Sequence, residues 1–144
     1  MKSGKIKWGI KMKTPYTEII MEEYENPKNH GKVDKPTIKA SAGNPVCGDQ
    51  IIVTMKIKNN KIEEIKFSGE GCAISIAATS LITQKIKGKS LDEAKKIKDE
   101  ELLEELGNVI QTRMKCALLS KITIQKALQE WEKNPAKKEI KIVL

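Results

Sequence analysis

Apolar residues recur along the chain at two spacings, which divide it into extended and helical segments. Alternation over residues 50–58 predicts a strand with one wet face, and its apolar positions are Ile51, Val53, Met55 and Ile57. Asn59-Asn60 is suited to a tight turn, and the segment KIEEIKF follows with Ile65 and Phe67 two residues apart. Residues 50–67 are therefore predicted to form an antiparallel hairpin.

Helical spacing predominates in the rest of the chain. The predicted helices are Tyr16 to Tyr24, a small-residue apolar helix from Cys72 to Gly88, SLDEAKKI, DEELLEEL, and Met114 to Trp131. Asn26-Pro27 should end the first helix and Asn134-Pro135 the last, because the residue before proline is disfavoured in the helical region. Ser90 and Glu93 have the Ser-x-x-Glu spacing of a capping box.

The chain of 144 residues is long enough for a single core. Residues 1–15 are predicted to be a mobile N-terminal extension, residues 16–132 the folded domain, and residues 133–144 a C-terminal tail that adds an edge strand or stays mobile. Residues 26–49 are rich in turn residues and are predicted to be mainly loop, with at most one short edge strand.

The net charge of the chain gives only a weak indication of function. Basic residues outnumber acidic ones 27 to 19, for a net charge of +8, but Arg113 is the only arginine and aromatic residues make up 3%. A basic nucleic-acid-binding module remains an alternative, although such surfaces favour clustered arginine and stacking aromatics. The chain has no apolar run long enough to span a membrane and no secretory signal pattern, so a cytoplasmic location is expected.

Three cysteines, Cys47, Cys72 and Cys116, are the most informative residues. An odd number without an export signal argues against a disulfide framework. Cys47 lies in a glycine-flanked loop, NPVCGD, with Asp49 two residues later, and Cys72 and Cys116 lie at the starts of predicted helices. All three are at the ends of elements, where side chains from distant segments can converge.

The chemistry of these positions favours metal binding or sulfur transfer. Backbone N–H groups at a helix N-terminus stabilise a thiolate, and Cys116 also has the basic neighbours Arg113 and Lys115. With Asp49 as an oxygen ligand, the set suits zinc or part of an iron–sulfur cluster. The alternative is that the thiols are small core hydrophobes and Asp49 a turn residue; the lone His30 is expected to have a surface or turn role.

Five motifs in this order resemble the iron–sulfur cluster assembly scaffolds of the IscU, NifU N-terminal and SufU family. They are YENPKNHG at 24–31, NPVCGD at 44–49, GEGCAIS at 69–75, IKGKSLDEA at 86–94 and KCALL at 115–119. The resemblance covers about residues 16–131. It implies an α+β fold, with a small antiparallel three-stranded sheet and helices packed on one face.

The resemblance also implies a function and a ligand set. Cys47, Asp49, Cys72 and Cys116 would hold a transient 2Fe-2S cluster, with iron as its metal and zinc in a resting form. A cysteine desulfurase would deliver persulfide sulfur to Cys116, and the cluster would pass to apo-protein acceptors. A cluster-loaded homodimer is a further implication, whereas nucleic-acid and membrane partners are not expected. The protein would be a carrier more than an enzyme.

The sequence departs from both branches of this family. Lys115 stands where the IscU pattern has histidine, and IQTRMK at 110–115 replaces the chaperone-binding Leu-Pro-Pro-Val-Lys signature. The 44-residue separation of Cys72 from Cys116 is too short for the insertion found in SufU proteins. The alternative function is therefore a zinc-dependent SufU-type sulfurtransferase, and Lys115 could act as a ligand, a relay base or an electrostatic aid.

Overall fold

The computed structural model describes residues 17–44, 48–107, 109, 111–136 and 138–143. The predicted N-terminal extension, Tyr16 and Cys47 lie outside these ranges. The helices are α1 (Glu18–Glu25), α2 (Ala73–Ile86), α3 (Leu91–Lys95), α4 (Asp99–Leu106) and α5 (Met114–Lys133), and the strands are β1 (Ile38–Asn44), β2 (Asp49–Lys58), β3 (Lys61–Glu70) and β4 (Glu139–Val143).

The predicted α+β class is confirmed, with one more strand in the sheet than expected. The strand order is β3-β2-β1-β4, in which β1 and β3 are antiparallel to β2 and β4 runs parallel to β1. The sheet is therefore mixed and four-stranded, because the C-terminal segment adds an edge strand.

Strand β1 is an interior strand, so the prediction of a short edge strand in residues 26–49 is wrong. Ala40 pairs with Val53 of β2 on one side and with Ile140 of β4 on the other. The segment IKASAGN has little of the β-branched, apolar composition typical of a central strand. Its alanines suit the position because α5 packs closely against β1.

The predicted wet face of β2 is partly covered. Ile51, Val53 and Met55 are fully buried as expected, but Thr54 on the opposite face is also buried, at 5% exposure. Its hydroxyl accepts a hydrogen bond from the backbone N–H of Val33 at 2.9 Å. The loop before β1 thus folds across the outer face of the sheet and shields Thr54 from solvent.

The predicted turn and cap residues are confirmed. Asn59 and Asn60 have φ values of 53° and 62°, and they connect β2 to β3. Ser90 caps α3, and its side chain and that of Glu93 form the predicted capping box. The hydrogen bond from the backbone N–H of Ser90, together with the Ser90 side chain, holds the pKa of Glu93 below its ordinary value.

Two apolar cores lie on the inner side of the sheet. The larger one joins the sheet to α2, α3 and α5, and the smaller one joins α1, α2 and α4 to the first turn of α5. Helix α2 contributes to both, which explains why ten of its fourteen residues are buried. Cys72 and Cys116 border the smaller core, so helix packing fixes the positions from which both thiols extend.

Two polar clusters fasten the helices to one another. The buried Glu23 of α1 accepts hydrogen bonds from Ser80 (2.6 Å) and Gln84 (3.0 Å) of α2. The buried Lys121 of α5 lies 2.7 Å from Asp99 of α4 and donates to Gln125 at 2.9 Å. Each cluster thus provides polar partners for a buried charged side chain, which would be costly to bury without them.

No helix in the described part of the chain is long and apolar enough to cross a membrane.

Candidate metal centre

Asp49, Cys72 and Cys116 converge at one end of the sheet. Each offers one possible ligand atom, and these atoms all lie within 4.8 Å of one another. The three residues are far apart in sequence and come from the start of β2, the N-terminus of α2 and the first turn of α5. Three of the four residues predicted as ligands are therefore brought together by the fold.

Cys72 is the N-cap residue of α2, with an extended backbone at φ −73° and ψ 169°. Its side chain makes no capping hydrogen bond and is partly exposed. Its carbonyl oxygen accepts a hydrogen bond from the Ser75 hydroxyl at 3.2 Å. The thiol therefore lies at the positive end of the helix dipole without being used as a cap, which suits a thiolate ligand.

Asp49 is the first residue of β2 and only 3% exposed. Its Oδ1 atom accepts a hydrogen bond from the backbone N–H of Cys72 at 3.0 Å, whereas its Oδ2 atom is buried and has no hydrogen-bond partner among the described residues. A buried carboxylate oxygen without a partner is costly, and a bound cation is one way to satisfy it. The donor set therefore fits a metal ion or an iron–sulfur cluster.

Gly71 allows this close approach of Asp49 to the start of α2. A Cβ atom at position 71 would lie 2.2 Å from the Ser75 hydroxyl oxygen, 3.0 Å from Oδ1 of Asp49 and 3.3 Å from its Cγ. Any larger residue would displace one of these groups. Glycine at position 71 thus lets the Ser75 hydroxyl and the Asp49 carboxylate keep these positions.

Cys116 is in the first turn of α5, after a short 3₁₀ helix at Gln111–Arg113. It is 1% exposed and therefore more deeply buried than Cys72. Neither thiol forms a disulfide with another described residue. Arg113 is the N-cap residue of α5 and half-buried, whereas Lys115 is exposed. Both basic residues thus precede Cys116 closely in the sequence, but they differ in their access to solvent.

The lone histidine is not part of this cluster, and the fourth predicted ligand is not among the described residues. Cys47 lies outside the described residues, so its role as a ligand stays a prediction. His30 is exposed, and its ring packs edge-on against Phe67 with centroids 5.6 Å apart. Ser75, which supports the Cys72 carbonyl, was not predicted; its position three residues into the helix after the N-cap is the only sequence signal that could have indicated it.

Comparison with known proteins identifies the family of the chain. Residues 15–138 match the family described as the NifU-like N terminal domain. The chain is 35% identical over 122 residues to the iron–sulfur cluster assembly scaffold protein IscU 1 of Archaeoglobus fulgidus, covering 85% of this chain and 80% of that protein. It is 46% identical over 81 residues to the zinc-dependent sulfurtransferase SufU of Bacillus subtilis, covering 56% of this chain and 54% of that protein.

The fold has a matching solved structure in the same family. A SufU crystal structure from Fervidobacterium islandicum, described as a scaffold for the SUF system, superposes with a TM-score of 0.70 at 28% identity and covers 79% of this chain and 96% of that one. The family match spans most of the chain. The IscU 1 protein of Archaeoglobus fulgidus is also more than 30% identical to this chain over most of both sequences. The chain therefore belongs to the NifU-like N-terminal domain family, together with the IscU-type iron–sulfur cluster scaffolds.

Proposed function

We propose that this protein is a scaffold that assembles a 2Fe-2S cluster from iron and persulfide sulfur and passes the cluster to apo-proteins. The observation that supports this most strongly is the mixed donor set of Asp49, Cys72 and Cys116, with ligand atoms within 4.8 Å. Thiolates are the usual ligands of iron–sulfur clusters. A buried carboxylate oxygen beside them adds a harder, more weakly held ligand.

Cys47 is proposed as the third thiolate ligand. It is two residues from Asp49 in the sequence, so their Cα atoms are at most about 7 Å apart in any trans backbone conformation. Gly48 between them has a φ of +73° and open space around it. Chain connectivity therefore keeps Cys47 within reach of the carboxylate, and a turn at Gly48 could bring its thiolate toward the same metal.

Sulfur would arrive by persulfide exchange at Cys116. The Cys116 thiolate attacks the terminal sulfur of a persulfide on a cysteine desulfurase, the desulfurase S–S bond breaks, and the desulfurase thiolate leaves. Two such sulfurs need four electrons to become sulfide. Two ferrous ions supply two electrons on becoming ferric, and an external electron-carrier protein supplies the other two. Because Cys116 is 1% exposed, binding of the desulfurase must first uncover its sulfur.

Cluster release would begin at Asp49. A carboxylate binds iron less strongly than a thiolate does in such sites, so the iron bound to Asp49 is the one that an acceptor thiolate can reach first. The Oδ1 hydrogen bond to Cys72 holds the carboxylate in position when the metal bond opens. The site would thus bind its cargo firmly through sulfur and exchange it through oxygen. The loaded form is proposed to include a homodimer that shares the cluster.

The second candidate is a zinc-dependent sulfurtransferase. It is favoured by the 46% identity to the zinc-dependent sulfurtransferase SufU over 81 residues. A tetrahedral set of three sulfurs and one oxygen also suits zinc. In this case zinc would be the resident ion, and a cysteine released from it would carry the sulfur. The exposed Lys115 and half-buried Arg113 would then attract the persulfide anion.

Cluster transfer distinguishes the two functions. The protein is incubated anaerobically with ferrous iron, a cysteine desulfurase, cysteine and a reductant, then separated from small molecules and mixed with an apo-ferredoxin. We expect visible absorption of a 2Fe-2S cluster on the scaffold and its movement to the ferredoxin. A chain that keeps zinc, forms no cluster and passes only persulfide would establish the sulfurtransferase instead.

A further inference from the structure

A groove lies beside the metal centre, between α4 and the segment that leads into α5. It has a volume of about 480 Å³ and is lined by Glu100, Leu103, Glu104, Gly107, Val109 and Met114. Met114 is 37% exposed, one of the few large apolar side chains with this much exposure in the described part of the chain. The groove thus combines an apolar floor with two acidic residues.

The two groove acids differ from the other acids of α4. Asp99 pairs with Lys121, Glu105 pairs with Lys85, and Glu101 accepts from the backbone N–H of Lys98. Glu100 and Glu104 have no ion-pair partner among the described residues. They are one turn apart, where like charges destabilise a helix. A basic ligand in the groove would relieve this repulsion.

The N-terminal residues have the complementary composition. Residues 1–16 contain five lysines and no acidic residue. Over residues 5–13 the sequence KIKWGIKMK alternates, so that the even positions are Ile6, Trp8, Ile10 and Met12 and the odd ones are lysines or glycine. In an extended segment this pattern places apolar side chains on one side and lysines on the other. The family match begins at residue 15, so this pattern lies outside it.

The chain leads this segment directly to the groove. The Thr17 hydroxyl donates to the carbonyl oxygen of Leu106 at 2.6 Å, and a Cβ atom on Gly107 would lie 2.6 Å from the Thr17 methyl group. Gly107 is itself part of the groove wall. From Thr17, Met12 can reach about 17 Å and Trp8 about 30 Å when extended. Both distances span a cavity of this size.

We propose that residues 5–13 bind in this groove of their own chain, with their apolar side chains on Leu103, Val109 and Met114 and their lysines beside Glu100 and Glu104. The surface lies outside the metal centre, and the inference does not depend on the proposed function. The bound segment would lie beside Met114, two residues before Cys116.

Tryptophan fluorescence of the full-length chain tests the proposal. Trp131→Phe leaves Trp8 as the only tryptophan, because the chain has two. At low salt we expect a blue-shifted emission and protection from acrylamide, both independent of protein concentration. Emission and quenching equal to those of the urea-unfolded chain would overturn the proposal. Protection that grows with protein concentration would also overturn it, because the groove would then be filled by a second copy.

Charge reversal locates the binding surface. The double variant Glu100→Lys and Glu104→Lys should weaken binding of residues 5–13 to the groove roughly tenfold, because two exposed attractions become repulsions. Trp8 should then lose its protection from acrylamide. The matched control is Glu63→Lys with Glu64→Lys, which makes the same change in net charge at exposed positions of β3. Protection unaffected by the groove variant, or lost equally in both, would mean that the segment does not bind in this groove. Circular dichroism verifies that each variant is folded.

Discussion

The Oδ1 atom of Asp49 accepts a 3.0 Å hydrogen bond from the backbone N–H of Cys72, while the Oδ2 atom of the same carboxylate is buried without a partner in the part of the chain that the structure describes. The backbone bond fixes the carboxylate on the helix N-terminus that carries one of the thiols. No described residue contacts the second oxygen by a hydrogen bond. This division of the two oxygens is the basis for the proposal that Asp49 is both a structural contact and an exchangeable metal ligand.

The first prediction concerns Asp49. Asp49→Asn keeps an oxygen that can accept from Cys72 but removes the negative charge, so the variant should fold while its cluster transfers roughly tenfold more slowly. The reason is that the weakly held anionic oxygen, from which transfer starts, is gone. Transfer half-times to an apo-ferredoxin, followed by circular dichroism in the visible range, provide the measurement. Transfer as fast as in the wild type would contradict the role given to Asp49.

The second prediction concerns Gly71. Gly71→Ala should reduce cluster or zinc affinity by about 10- to 100-fold, the usual effect of disturbing the groups that orient a ligand. The added Cβ would meet the Ser75 hydroxyl at 2.2 Å and Oδ1 of Asp49 at 3.0 Å. Competition with a chromogenic chelator measures the affinity.

Gly43→Ala is the matched control for Gly71→Ala. Its Cβ would meet only the carbonyl oxygen of Asp49, at an ordinary contact distance of 3.8 Å. The double variant Gly71→Ala with Ser75→Ala removes the closest clash and should recover stability more than metal affinity. Equal loss of affinity in Gly43→Ala and Gly71→Ala would show that the steric argument at position 71 is wrong.

Much of the fold was predictable because its signals are local. Alternation identified the β2–β3 hairpin, the capping box identified the start of α3, and asparagine identified the turn at residues 59–60. The interior place of β1 was not predictable, because it depends on β4 pairing with β1 from 100 residues away. The burial of Thr54 likewise depends on a loop distant in sequence.

The site was predictable in its residues but not in its geometry. Helix starts and flanking glycines singled out Cys72, Cys116 and Asp49. Their differences in burial were not predictable, because they result from how α1, α2 and α4 pack around the first turn of α5. The hydrogen bond that commits one oxygen of Asp49 to Cys72 also follows only from the fold.

The third prediction concerns thiol reactivity. In the metal-free protein, a short pulse of iodoacetamide should modify Cys72 faster than Cys116, because Cys72 is partly exposed and Cys116 is 1% exposed. Mass spectrometry of the digested protein measures both sites in the same sample. Addition of a cysteine desulfurase and cysteine should convert Cys116 to a persulfide. Equal labelling of the two thiols in the free protein would contradict the need for a partner to uncover Cys116.

The fourth prediction concerns the ion pair between α4 and α5. Asp99→Ala should lower the free energy of unfolding by about 1 to 2 kcal/mol, because it leaves the charge of buried Lys121 without its counter-ion. The loss should be smaller than for a fully buried ion pair, because the Asp99 side chain is 47% exposed and Gln125 still contacts the Lys121 ammonium group. Urea denaturation followed by circular dichroism measures the change.

Two further variants make this stability test specific. Lys121→Met should be nearly neutral, because it removes the buried charge together with the need for a partner. Asp92→Ala removes an exposed acid whose contact with Lys95 is 3.9 Å long, and it should change stability by less than about 0.5 kcal/mol. A loss in Lys121→Met as large as in Asp99→Ala would contradict this account, because it would show that the ion pair itself contributes net stability.

The metal and sulfide content of the anaerobically purified protein tests the central claim most directly. Iron, zinc and acid-labile sulfide are measured per chain after reconstitution with ferrous iron, a cysteine desulfurase, cysteine and a reductant, with excess zinc in a parallel sample. The scaffold account predicts iron and sulfide in equal amounts and the absorption of a 2Fe-2S cluster, both lost in Cys72→Ser. One tightly bound zinc per chain, with no sulfide under either condition, would contradict it.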